Sequence, residues 1–327
     1  MQIKTITTSL LFCIALSIIS CKEATTTALN TSNTLKHKAV LEYQIQSKLG
    51  EGSFWNYNTQ ELYWVDIQGK TLHIYNPKTK TNKSLAMPSM IGTVVPSTQS
   101  NKAIIALQDG IYSIDTNTGN LQLLSDVEQA ITTNRFNDGK CDPSGRFWVG
   151  SIAFDETPHA AKLYMLDNNQ NVILKKDSVT ISNGIVWTKD KTTMYYIDTP
   201  TSEIKAYDYN DATGAISNER VAVKVSDTLG YPDGMTIDEN DNLWVGLWNG
   251  SAVGCFNPKT GNLITKIEVP ALNVTSCAFG GKNLDTLYIT TATKDMGTEQ
   301  LKQFPLAGSV FKAVPGVKGV KGHFYKE

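Results

Sequence analysis

The sequence predicts an all-β fold, a six-bladed β-propeller. Three observations carry that expectation. A short apolar-aromatic segment recurs six times, at Leu62-Tyr63-Trp64-Val65, Ala103-Ile104-Ile105-Ala106, Arg146-Phe147-Trp148-Val149, Met194-Tyr195-Tyr196-Ile197, Leu243-Trp244-Val245-Gly246 and Leu287-Tyr288-Ile289-Thr290. With Tyr63, Ile104, Phe147, Tyr195, Trp244 and Tyr288 as markers, the steps are 41, 43, 48, 49 and 44 residues. No stretch sustains a 3.6-residue apolar period, so helix is scarce. Regular repeats of this length, each holding three or four strands, stack as blades because one blade cannot bury both its faces alone.

Each element follows from local chemistry. The N-terminal Met1 to Ser20 carries Lys4 ahead of the apolar run Leu10 to Ile19, which is too short to span a bilayer, and reads as a signal peptide. Ile18-Ile19-Ser20-Cys21 resembles a bacterial lipobox. That resemblance implies cleavage before Cys21, lipidation of its thiol and membrane anchorage outside the cytoplasm, in the periplasm or at the cell surface. Residues 21–39 then form a lipidated Cys and a flexible tether, Thr-, Asn- and Ser-rich without apolar periodicity. The propeller occupies 40–327. Its first segment, Val40 to Ser47, alternates apolar residues and is expected to join the blade formed by the C-terminal strands, closing the ring.

Every marker strand is β-branched or aromatic and bounded by turn residues. A second strand follows each: Thr71 to Tyr75, Ile111 to Ile114, Lys162 to Leu166, Glu203 to Tyr207, Ala252 to Phe256 and Ser309 to Lys312. Turns such as Asn76-Pro77-Lys78-Thr79 close them. The segment Asp238-x-Asn240-x-Asn242 has Leu243 and Asn249 where an EF-hand loop needs Gly and Glu, so it reads as an inter-strand turn.

Composition narrows the function. The 327 residues carry 30 Lys+Arg against 31 Asp+Glu, a net charge of −1, which gives no electrostatic footprint for nucleic acid. The one long apolar run is N-terminal, so the chain is not polytopic in a membrane. Of five Cys, Cys13 leaves with the signal and Cys21 is the lipid site; Cys141, Cys255 and Cys277 lie in apolar runs and are expected as buried free thiols. His159, in the loop Phe154 to Ala161, is expected at the surface. The chain is expected to be a monomer.

The first strand of each blade lines the axis. Counting 10–12 residues back from each marker gives Glu51, Gly92, Asn137, Asn183, Asp233 and Ser276. Four blades therefore place a carboxylate or amide oxygen at nearly one radial and axial position. Taken singly, Asn183-Gly184 and Asp233-Gly234 are turn dipeptides; four coincident positions are not explained by turns. Hard oxygen donors without His or Cys predict a divalent metal site on the central axis, with Ca²⁺ the first choice and Mn²⁺, Mg²⁺ or Zn²⁺ as alternatives.

Leu49-Gly50-Glu51-Gly52, Arg135-Phe136-Asn137-Asp138-Gly139-Lys140, Ile181-Ser182-Asn183-Gly184, Pro232-Asp233-Gly234-Met235 and Thr275-Ser276-Cys277-Ala278-Phe279-Gly280-Gly281 resemble the regucalcin (senescence marker protein 30), gluconolactonase and luciferin-regenerating-enzyme family. The resemblance runs from about 45 to 320. It implies a metal held by Glu51, Asn183 and Asp233, and metal-dependent hydrolysis of a sugar lactone with Asp233 as the base. It implies that Arg135 and Asn137 contact the lactone. Asp155 falls where relatives often carry a substrate-binding Glu. Trp248 is a candidate pocket wall or packing residue. Two other readings stand beside this one: a calcium-dependent organophosphate or aryl-ester hydrolase, and a non-catalytic calcium-dependent ligand binder.

Overall fold

The computed structural model describes residues 38–327. The signal peptide at 1–20, the Cys21 lipid site and residues 21–37 of the tether lie outside the described residues. Six four-stranded antiparallel sheets follow one another along the chain. Blade 1 comprises β2 (Gly50–Asn56), β3 (Glu61–Asp66), β4 (Thr71–Asn76) and β5 (Thr81–Ala86). Blade 2 comprises β6 (Ile91–Pro96), β7 (Lys102–Leu107), β8 (Gly110–Asp115) and β9 (Leu121–Ser125). Blade 3 comprises β10 (Asn134–Cys141), β11 (Phe147–Ala153), β12 (Ala161–Leu166) and β13 (Val172–Val179). Blade 4 comprises β14 (Ser182–Trp187), β15 (Thr193–Asp198), β16 (Glu203–Asn210) and β17 (Ala215–Lys224). Blade 5 comprises β18 (Tyr231–Ile237), β19 (Leu243–Trp248), β20 (Ala252–Asn257) and β21 (Asn262–Glu268).

Blade 6 takes strands from both ends of the chain. It orders β22 (Asn273–Gly280), β23 (Thr286–Ala292) and β24 (Val310–Ala313), with β1 (Val40–Tyr43) outermost. Val40 pairs with Lys312 and Leu41 with Phe311. This pairing removes the free edge that β24 would otherwise present. The one α-helix among the described residues, α1 (Thr298–Gln303), lies in the β23–β24 connection.

Burial falls from the axis outward. All seven residues of β2 are buried, whereas none of the six in β5 is. The core lies between blades. Trp148, Trp187, Tyr196 and Tyr207 pack together from blades 3 and 4, and Trp55, Trp64, Tyr75 and Tyr288 from blades 1 and 6. These aromatics fill the wedge between neighbouring sheets. Turn aspartates tie the repeats internally: Asp142 Oδ2 accepts from Trp148 Nε1 at 2.9 Å, and Asp238 Oδ2 from Trp244 Nε1 at 3.0 Å. Asp238 Oδ1 also accepts from the backbone of Asn240 and Asn242, so the EF-hand-like spacing is an inter-strand turn.

A β-bulge interrupts the first strand of every blade. The register shifts between Glu51 and Phe54, Ile91 and Thr93, Phe136 and Gly139, Asn183 and Ile185, Pro232 and Met235, and Val274 and Ser276. Asn183-Gly184 and Asp233-Gly234 are therefore bulge pairs inside strands rather than turns. A bulge re-aims one side chain. Two glycines show what this requires. Gly52 has a φ of 60°, a backbone region that glycine enters without steric cost. A Cβ on Gly184 would lie 2.8 Å from the carbonyl oxygen of Asp233, so blades 4 and 5 approach each other there only because the side chain is missing.

Candidate active site

The bulges aim their side chains into one cavity of about 290 Å³ at one end of the axis. That volume is at the small end of ligand clefts, which run to about 1,000 Å³, and suits a small molecule. Glu51, Arg135, Asn137, Asn183 and Asp233 all line it. All five side chains are buried.

The polar groups form a connected set. Arg135 Nη1 donates to Asn137 Oδ1 at 2.8 Å and to the carbonyl of Phe136 at 3.0 Å. Asn137 Nδ2 donates to Asn183 Oδ1 at 3.1 Å and to the carbonyl of Ser182 at 2.7 Å. Asn183 Nδ2 donates to Thr199 Oγ1 at 2.8 Å, and Thr199 in turn donates to the carbonyl of Pro232 at 2.8 Å. The relay fixes both amides, so Asn183 Oδ1 has a defined direction. Glu51 Oε2 accepts from the backbone N–H of Gly52 at 2.7 Å, and the Glu51 and Asp233 carboxyls lie close enough to act on each other's titration.

Two buried carboxyl groups in contact cannot both ionise cheaply. Burial, and then the neighbouring Glu51, push the Asp233 carboxyl well above its ordinary value. Burial, and then Asp138, push Glu51 up as well. Burial lowers the Arg135 guanidinium to about 10, which leaves it protonated at neutral pH. Asp138 adds a third buried acid, and its Oδ2 has no hydrogen-bond partner. No group of three or more His, Cys, Asp or Glu side chains among the described residues is placed to hold a metal ion. The axial donor set is of another kind, two carboxylates and one amide oxygen. Two buried carboxyls and an amide oxygen lining one cavity, oxygen donors only, fit a hard divalent cation.

Asp155 is not part of this cavity. Its side chain is exposed and turns back to accept from the N–H and Oγ1 of Thr157 at 3.1 and 2.7 Å. The local Asx-type turn satisfies the shorter side chain, and the next residue, Glu156, lines the cavity instead. Glu156 lies 3.7 Å from Lys294 Nζ, so an ion pair from blades 3 and 6, opposite one another in the ring, crosses the mouth. Lys294 also sits 5.6 Å from the ring of Trp248, which lines the wall with Tyr231. His159 is exposed and bonds the carbonyl of Ser178 at 3.0 Å. Cys141, Cys255 and Cys277 are free and buried. Thr199, Glu156, Tyr231 and Lys294 were not legible as site residues. They lie at or beyond strand ends, at positions the 40-odd-residue repeat does not mark.

Fold and cavity together define a six-bladed propeller with an acid, amide and guanidinium site for a small polar ligand. The chain belongs to the SMP-30/gluconolactonase/LRE-like family, whose characteristic region matches residues 49–293. It is 40% identical over 275 residues, 84% of this chain and 94% of the relative, to YvrE of Bacillus subtilis, whose name assigns it provisionally as a sugar lactone lactonase. The structure of a luciferin-regenerating enzyme superposes with a TM-score of 0.82 at 32% identity, covering 88% of this chain and all of that one. A calcium-binding regucalcin from Agrobacterium tumefaciens gives 0.85 at 26% identity, covering 89% of this chain and 98% of the other.

Proposed function

We propose that the protein hydrolyses sugar lactones with the help of one divalent cation, Ca²⁺ in the first instance, held by Glu51, Asn183 and Asp233. The observation that carries this reading is the pair of buried carboxyls, Glu51 and Asp233, beside the Arg135–Asn137–Asn183 relay in one small cavity. When bound, the cation supplies Lewis-acid polarisation of the lactone carbonyl.

The chain's own groups do the rest. Arg135 and Asn137 orient the ring hydroxyls, and Arg135 supports the charge that develops on the carbonyl oxygen. Asp233 takes a proton from the attacking water as the water oxygen bonds to the carbonyl carbon. The ring C–O bond then breaks and the departing ring oxygen leaves as an alcohol, taking the proton back; the product is the open hydroxy acid. Burial, and then Glu51, raise the Asp233 carboxyl above its ordinary value and so make it a stronger base than a solvated aspartate. The polar lining favours a polyhydroxylated substrate over an apolar phosphotriester. Family membership and the names of the relatives support the same class of reaction.

A pH-stat assay of a panel of aldonolactones, with EDTA and with re-added Ca²⁺, Mn²⁺, Mg²⁺ or Zn²⁺, tests the reading. Cation-dependent acid release supports it. No turnover of any lactone, beside turnover of a phosphotriester, would replace it with the organophosphate reading. Export through 1–20 and lipidation at Cys21 would place a monomeric enzyme at a membrane outside the cytoplasm; failure of a labelled fatty acid to enter the chain, or loss of labelling only on a substitution other than Cys21→Ser, contradicts that placement.

A further inference from the structure

Blades 1 and 4 start their inner strands with the same device. In blade 1 Asp66, the last residue of β3, accepts from the N–H groups of Lys48 and Leu49 at 2.9 and 3.0 Å, and the Ile67 N–H donates to the carbonyl of Leu49 at 2.9 Å. In blade 4 Asp198, the last residue of β15, accepts from the N–H groups of Thr180 and Ile181 at 3.1 and 2.8 Å, and the Thr199 N–H donates to the carbonyl of Ile181 at 3.1 Å. Each clamp holds the residue two places before a site residue, Leu49 before Glu51 and Ile181 before Asn183. The sequences run parallel, Tyr63-Trp64-Val65-Asp66-Ile67 against Tyr195-Tyr196-Ile197-Asp198-Thr199, and part at the residue after the aspartate. Ile67 is fully buried in the apolar core, whereas Thr199 lines the axial cavity.

The difference matches what each blade delivers to the site. A carboxylate offers two equivalent oxygens, so Glu51 has no wrong end. A carboxamide has one oxygen and one NH2, and a flipped amide would turn N–H groups toward a cation. The Thr199 hydroxyl has a single proton, which goes to the carbonyl of Pro232 at 2.8 Å, an atom that can only accept. Toward Asn183, at 2.8 Å, the hydroxyl must therefore accept, and only Nδ2 can donate to it. Asn137 makes the same choice from the other side. Its Nδ2 donates to the Ser182 carbonyl and to Asn183 Oδ1. Asn183 Oδ1 keeps a second lone pair for a ligand in the cavity. The β-branched Thr199 side chain is stiff at χ1, and its backbone is held by the clamp. Pro232 immediately precedes Asp233, so the hydroxyl also ties the amide to the strand that carries the second acid.

We propose that Thr199 is a positioning residue: its hydroxyl fixes which end of the Asn183 carboxamide faces the axial cavity and thereby sets the affinity of the site for a divalent cation. The proposal rests on the cation site put forward under Proposed function. Thr199 acts through Asn183 and the Pro232 backbone, and the matching place in blade 1 carries no hydroxyl because a carboxylate needs no orienting.

The test uses the full chain. Thr199→Val keeps the β-branched shape and removes the hydroxyl, and Ile67 shows that such a residue fits the clamp; Thr199→Ser keeps the hydroxyl. Calorimetric titration of Ca²⁺ into EDTA-stripped protein is expected to give a Kd about three- to tenfold weaker in Thr199→Val and within about twofold of the unaltered chain in Thr199→Ser. Thr199→Ala gives the same readout if Thr199→Val fails to fold. Neutron diffraction from cation-free crystals, which locates the amide hydrogens, is expected to show the Asn183 amide turned or split between orientations in Thr199→Val and unmoved in Thr199→Ser. An unchanged Kd in Thr199→Val, equal weakening in Thr199→Val and Thr199→Ser, or an unmoved amide in Thr199→Val would overturn the proposal. No divalent binding by the unaltered chain, beside a turned amide in Thr199→Val, would instead overturn the cation reading and uphold the orienting role.

Discussion

Asp233 and Glu51 show how a residue's surroundings decide its chemistry. Asp233→Asn removes a buried ionisable carboxyl while keeping its shape. Lactone hydrolysis should fall about 10²–10⁴-fold, the usual contribution of a general base, while the midpoint of thermal unfolding in EDTA stays level or rises. A loss of activity accompanied by a large drop in that midpoint would mean that Asp233 is structural. Arg135→Lys should behave almost as badly as Arg135→Gln in steady-state kinetics, because one ammonium cannot hold Asn137 Oδ1, the Phe136 carbonyl and a sugar hydroxyl in one plane. Rescue by Lys would reduce Arg135 to a point charge. The mouth pair is a different case. Glu156 is exposed at 51% of its side chain, and such pairs contribute about 0–1 kcal/mol. Glu156→Gln should therefore change KM by less than about fivefold, and a larger effect would show that Glu156 touches substrate. Sequence reasoning reached the axial residues because the repeat fixes their place in every blade. It missed Glu156 in favour of Asp155 because the choice depends on a turn: Thr157 satisfies the aspartate locally, and only coordinates reveal that.

At the scale of elements, the inner strands carry the design. Their six bulges fall at the site residues or at the equivalent positions, and in four blades the bulged stretch brings a polar side chain, Glu51, Asn137, Asn183 or Asp233, to the cavity. The spacing located these residues; the bulges explain why glycine follows Glu51, Asn183 and Asp233. Spacing alone left strand and turn open for Asn-Gly and Asp-Gly, since both pairs favour tight hairpins in isolation. Burial against neighbouring blades decides for the strand. Gly184→Ala would press a methyl group onto the Asp233 backbone, at a cost of about 1–3 kcal/mol. Chemical denaturation should register that loss, together with weaker cation binding because the bulge holds Asn183. The closing strand β1 was foreseen from alternation at Val40, Leu41, Tyr43 and Ile45, and pairs as expected with β24.

At the scale of the molecule, the propeller works by convergence: residues more than a hundred positions apart meet at the hub because each blade delivers one inner strand. Convergence of acids has an energetic consequence. Burial, and then Asp138, push the Glu51 carboxyl up to about 7, from about 4.3 for an ordinary glutamate. Between those values the folded chain holds a proton that the unfolded chain has released, so stability falls as pH rises through the window. In EDTA the thermal midpoint should decline from pH 4.5 to pH 7. Saturating Ca²⁺ should flatten that decline, because the cation then offsets the charge that the proton otherwise removes. A pH-independent midpoint in EDTA would show that burial does not raise the Glu51 carboxyl. The most direct test of the whole account is calorimetric titration of Ca²⁺ into EDTA-stripped protein at neutral pH. The account predicts one site per chain, proton release on binding, and loss of the binding heat in Asp233→Asn. Undiminished binding in that variant, or no binding to the unaltered protein by any of the four divalent ions, would contradict it.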